Sequence, residues 1–126
     1  MNKTASRILV IDDDPDIGIM IKMILEYSGY FVQVSDRGEH AEEFIRNNNI
    51  DLLIMDMLLS GINGIDICRR LKQNITTSRL PVMMISAHPN AKETCFEAGA
   101  DDFIAKPFDM GDILSRINIL LTAKNA

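Results

Sequence analysis

The sequence is poor in the residues that build metal clusters, disulfide scaffolds and nucleic-acid surfaces. It has two cysteines, two histidines and no tryptophan in 126 residues. Cys68 and Cys95 fall in helical patterns without CxxC spacing or matching histidines, so they read as small buried thiols and not as a zinc site. His40 and His88 are too few for a multi-histidine centre, and neither has a local Ser or Cys partner that suggests a dyad. No apolar run approaches the ~18–20 residues that span a bilayer, and the polar start, Met1 to Ser6, has no apolar h-region. No membrane association is expected, and the location should be cytoplasmic. Basic residues are outnumbered, 13 against 18 acidic, for a net charge of −5, and they form no cluster. Direct nucleic acid binding is therefore not expected, since phosphate neutralisation needs grouped Lys and Arg.

What is present is the composition of one ordinary globular unit. Apolar residues make up 47% of the chain, enough for a single core without a staple. No linker or low-complexity tract interrupts it, so residues 1–126 read as one domain. Arg7–Ile11 is a short apolar run that predicts a strand; Asp14 then supplies an N-cap and Pro15 the first helical position. Ile17, Met20, Ile21, Ile24 and Leu25 recur at helical spacing until Ser28-Gly29 stops the pattern. The alternation continues with a strand at Tyr30–Val34, a helix at Glu39–Arg46 and a strand at Asp51–Met55. After the glycines 61 and 64 come a helical stripe of Ile67, Cys68 and Leu71, a strand at Pro81–Ile85, a short helix at Ala91–Ala98, a strand at Asp102–Ala105 and a last helix from about Asp109. Strands separated by helices pair in parallel through right-handed crossovers, which predicts an α/β doubly wound sandwich of (βα)5 type.

Ligands in such sheets bind beyond the carboxyl ends of the strands. That rule selects Asp12, Asp13, Asp56, Ser86, Ala87 and Lys106. Three carboxylates brought to one edge repel each other by several kcal/mol in a partly dry site, at an order of magnitude. With no His or Cys ligand nearby, the fitting remedy is a hard cation such as Mg2+. Asp14 and Asp16 need no such role, being a cap and a first-turn acid. Lys106, pinned by Pro107, can reach across to the carboxylates, and the Ser86 hydroxyl with the Ala87 amide can donate to a phosphate oxygen. A carboxylate nucleophile, a metal, a Lys and a hydroxyl together suit phosphoryl transfer.

These residues carry a resemblance. Asp12-Asp13, the segment Asp56-Met57-Leu58-Leu59-Ser60-Gly61-Ile62-Asn63-Gly64, Ser86-Ala87 and Lys106-Pro107-Phe108 stand in the order and approximate spacing of response-regulator receiver domains. The resemblance covers nearly the whole chain. It implies the flavodoxin-like strand order 2-1-3-4-5. It also implies Asp56 as phosphoacceptor, Asp13 and Asp56 as direct Mg2+ ligands, Asp12 as a ligand largely through water, and Leu58 as a ligand through its backbone carbonyl. Ser86 and Lys106 would hold phosphate oxygens, Ser86 and Phe103 would form the switch, and the Lys106-Pro107 bond would be cis. Phe103 also reads simply as an apolar strand residue. Partners implied are a histidine kinase or histidine phosphotransfer protein and a downstream protein target or output domain, with homodimer formation on phosphorylation.

The sequence departs from the family in two places. Ser60 stands where these domains usually have Pro, which suggests a looser loop. The interval from Ser86 to Phe103 is about two residues short of the family's usual length, which predicts a short or displaced fourth helix. Three other readings compete with this one. An Asp-nucleophile phosphatase would usually carry a second Asp where Leu58 stands, so turnover of an external substrate is not expected. A flavodoxin-like flavin carrier would need a Ser/Thr/Gly-rich phosphate loop in place of Asp12-Asp13-Asp14. A degenerate receiver acting as a phosphate-independent binding module is the remaining alternative, although every chemical position is filled.

Overall fold

Apolar, β-branched runs bounded by turn residues set the strands, and in the computed structural model, which describes residues 5–59, 62–88 and 90–124, they lie where both faces can be covered. In chain order the elements are β1 (Arg7–Ile11), α1 (Pro15–Tyr27), β2 (Phe31–Ser35), α2 (Ala41–Asn47), β3 (Leu52–Asp56), β4 (Leu58–Leu59), β5 (Ile62–Asn63), α3 (Gly64–Gln73), β6 (Val82–Ser86), α4 (Ala91–Glu97), β7 (Asp102–Ala105) and α5 (Met110–Lys124). The main sheet is parallel in the order β2-β1-β3-β6-β7. Counted over its five strands, this is the expected 2-1-3-4-5. The Lys106-Pro107 bond is cis, as the resemblance implies. Ser60 and Gly61, and with them the expectation of a looser loop, lie outside the described residues.

Alternate strand residues point to opposite faces, so each strand feeds two cores. Leu9, Ile11, Leu53, Met55 and Met84 pack with Ile45, Cys68, Leu71 and Cys95 from α2, α3 and α4. Ile8, Val10, Leu52, Ile54 and Met83 pack with Ile21, Leu25, Ile113 and Ile117 from α1 and α5. β3 and β6 are buried along their whole length, which explains their continuous apolar runs.

Several boundaries differ from the sequence reading, each for a local reason. β2 starts one residue later than expected because Gly29, at φ +98°, turns the chain and the Tyr30 N–H is used by the Leu25 carbonyl. α2 starts at Ala41, not Glu39, since the Ala41 N–H closes a turn onto the Gly38 carbonyl. Asp14 does cap α1, accepting from the Asp16 N–H at 3.0 Å. The antiparallel β4–β5 hairpin was not expected. It positions Asn63, whose side chain caps α3 by accepting from the Ile65 N–H at 2.8 Å. α4 is seven residues long, in keeping with the short segment that carries it.

Candidate functional site

The hydrogen-bond ladder of the sheet runs one residue past the strand ends and fixes the backbone of the chemical residues. The Asp12 N–H donates to the Ser35 carbonyl at 3.1 Å, the Met57 N–H to Ile85 at 2.8 Å and the Lys106 N–H to Ser86 at 2.9 Å. Side chains of Asp12, Asp13 and Asp56 therefore converge, with one carboxylate oxygen from each within 4.8 Å of the others. Asp12 is 1% exposed and Asp56 8%, whereas Asp13 is open to solvent.

Lys106 spans two of these acids. Its Nζ lies 2.6 Å from Asp56 Oδ2 and 3.2 Å from Asp12 Oδ2. Burial alone would lower the ammonium pKa, but the hydrogen bond and charge of Asp56, followed by those of Asp12, outweigh it and leave it raised. For Asp12 the balance goes the other way. Burial raises its pKa more than the Asp14 backbone N–H, at 2.9 Å, and Lys106 lower it; the nearby Asp56 charge adds to the rise.

The chemistry of the converging donors tests whether a divalent cation suits the site. The donors are all hard oxygens, one of them deeply buried, and the cluster contains no soft or imidazole ligand. The residues fit Mg2+. Leu58, the expected backbone ligand, is half exposed at the rim, and its N–H donates to Asp56 Oδ1 at 3.1 Å.

Ser86, Ala87 and His88 share with Asp56, Leu58 and Lys106 an open cavity of about 410 Å³. Ser86 Oγ is buried and accepts from the His88 N–H at 3.0 Å, so its own proton remains available to an incoming oxygen. Phe103 is not part of this cavity. It is 9% exposed and packs in the core shared with α3 and α4. Gly64, turn punctuation in the sequence, lies against the Asp56–Met57 segment: a Cβ there would press into the backbone carbonyls of Asp56 and Met57. Nothing in the local pattern distinguishes that close approach from an ordinary turn.

Comparison with known proteins bears on the family and the fold. Residues 8–118 match the family described as the response regulator receiver domain. The chain is 35% identical over 117 residues to the phosphate regulon transcriptional regulatory protein PhoB of Rhizobium meliloti, covering 91% of this chain and 52% of that protein. It is 36% identical over 117 residues to the DNA-binding dual master transcriptional regulator RpaA of Synechocystis, covering 91% and 48%. The receiver domain of a signal transduction histidine kinase from Syntrophus aciditrophicus superposes with a TM-score of 0.87 at 32% identity, covering 94% of this chain and 92% of that one. The chain spans about half the length of the curated relatives it matches. RpaA is named as DNA-binding, and so is the mycobacterial regulator MtrA, so the expectation of no direct nucleic acid binding is overturned. The reason is physical: a net charge of −5 describes the matched stretch alone and says nothing for regulators about twice as long. Among the described residues, no helix is long and apolar enough to cross a membrane.

Proposed function

Since the chain belongs to the response regulator receiver domain family of two-component signalling, we propose that Asp56 accepts a phosphoryl group from a histidine kinase or a histidine phosphotransfer protein. Asp12, Asp13, Asp56 and the Leu58 backbone carbonyl would hold Mg2+ there. The observation that carries this reading is the convergence of Asp12, Asp13 and Asp56, with the Lys106 ammonium bridging Asp56 and Asp12.

An Asp56 carboxylate oxygen attacks phosphorus, and the new O–P bond forms as the P–N bond to the donor's histidine breaks. The electron pair leaves on the imidazole nitrogen. When bound, Mg2+ neutralises phosphoryl oxygens in the transfer. Lys106 passes from Asp56 Oδ2 to a phosphoryl oxygen, while the Ser86 hydroxyl and Ala87 N–H donate to the others. Drawing Ser86 inward disturbs β6 beside β7, so the packing of Phe103 is the element through which the change would reach the α4–β7–α5 surface. That surface would then meet a downstream target, an output domain or a second copy of the chain. The likeness to PhoB and RpaA favours transcriptional control as the output, in the cytoplasm. Turnover of an external substrate is not part of this reading.

The test is intact mass after incubation with acetyl phosphate and Mg2+, beside an Asp56→Asn control and a sample with excess EDTA. One added phosphoryl group, only in the unaltered protein with metal, is the expected result. Failure with small donors, with candidate kinases and in a beryllofluoride thermal-shift experiment would leave the phosphate-independent binding module as the better account.

A further inference from the structure

α2 is only seven residues long, and the residue that opens it, Ala41, turns a small side chain toward the sheet. A cavity of about 280 Å³ remains between α2 and the β1–β2 edge. Its walls are apolar, formed chiefly by Leu9, Ile11, Val34 and Phe44, and Arg37 and His40 stand among its lining residues. None of Asp12, Asp13, Asp56 or Lys106 lines it, so it is separate from the acidic edge. We propose that this cavity is a second ligand site, for a small organic carboxylate with an aryl or short branched-alkyl body.

Size selects the body. An apolar cavity of about 150 Å³ holds benzene, so the space here takes one ring with a short substituent, and it falls just below the range of drug-sized pockets. Charge selects the head. Arg37, in the loop before α2, makes no ion pair among the described residues, whereas Glu42 on α2 is already shared by Arg46 and Arg70, each at 3.9 Å. Asp36 and Glu39 flank Arg37 in sequence but do not line the cavity. The backbone carrying the guanidinium is also fixed: Ser35 Oγ accepts from the Arg37 N–H and donates to the Arg37 carbonyl, both at 3.1 Å. An apolar slot lined at one side by an exposed cation that makes no ion pair among the described residues matches an amphipathic anion better than a neutral or cationic molecule.

The experiment is a titration of the whole chain, followed through its backbone amide resonances, with sodium phenylacetate and separately with phenylacetamide. Phenylacetate should give saturable shifts at Val34, Arg37 and Phe44 with millimolar affinity, the level open to a ligand of about ten heavy atoms. Phenylacetamide should bind more weakly, by up to about fivefold, the range for an exposed ion pair. Arg37→Gln, an exposed change, should reduce phenylacetate to the level of the amide, and Ala41→Leu should remove both by filling the slot. Non-saturating shifts, equal binding of acid and amide, or undiminished phenylacetate binding in Arg37→Gln would each overturn the proposal. Arg37→Gln decides the matter if Ala41→Leu fails to fold.

Discussion

Lys106 Nζ holds Asp56 Oδ2 at 2.6 Å, a bond between residues 50 positions apart that closes the carboxyl edge of the sheet. Replacing Lys106 by Met removes the main compensation for two buried acids. We expect a loss of about 1–3 kcal/mol of stability at neutral pH without divalent cation, partly restored by Mg2+, and no stable phosphorylation. Urea unfolding with and without metal measures the first two effects. Equal stability of variant and parent would show that the bridge is not needed.

Gly64 gives a sharper steric forecast. In Gly64→Ala the added Cβ meets the Asp56 and Met57 carbonyls, backbone atoms that cannot swing aside. A loss of about 2 kcal/mol or more is expected, together with impaired phosphoryl acceptance, because Asp56 itself is displaced. Gly29→Ala is the control: nothing lies within 4 Å of its Cβ, and only the positive φ of +98° resists substitution. Its cost should be about 1 kcal/mol, with acceptance intact.

The two thiols predict an alkaline limit. Burial pushes Cys68 and Cys95 from the ordinary 9.0 up to about 11. An acid whose folded pKa is raised binds its proton more tightly when folded, so its stabilisation is full below 9.0 and lost as pH climbs toward 11. The loss should be on the order of 2 kcal/mol per thiol. Stability measured across that window should fall less steeply in a Cys68→Ala/Cys95→Ala protein, and a parallel slope in both proteins would refute the assignment.

Leu58 stands half exposed at the mouth of the Asp56 cavity and has no side-chain group to orient water. Leu58→Asn supplies one. Hydrolysis of the phosphoaspartate should speed up by about tenfold, followed as loss of the phosphorylated mass with time. No change in rate would count against the side chain at position 58 setting that rate.

The sequence made the parallel sheet readable because β3 and β6 are continuous apolar runs, and it made the acidic edge readable because the strand-end rule gathers Asp12, Asp13, Asp56 and Lys106 without any knowledge of their distances. Other features left no trace in the pattern. A two-residue strand has no period, so the β4–β5 hairpin was invisible. Lys72 binds Asp101 at 2.6 Å and the Leu80 carbonyl at 2.6 Å, tying α3 to two loops, but a pairing across 29 residues has no local signature. The burial of Phe103 was likewise out of reach, because an aromatic at that position reads equally as switch or core. The nucleic-acid expectation failed for a different reason, since charge reports only on the stretch of chain it is summed over.

The rungs formed by the Asp12, Met57 and Lys106 amides bear on how the protein breathes. These bonds belong to the sheet and not to the loops, so hydrogen exchange at the three amides should track the slow opening of the parallel core, in step with Leu53 and Ile85, and not the fraying of neighbouring turns. A site built this way is assembled whenever the sheet is, and the proposed capture of a phosphoryl group would then require little backbone ordering.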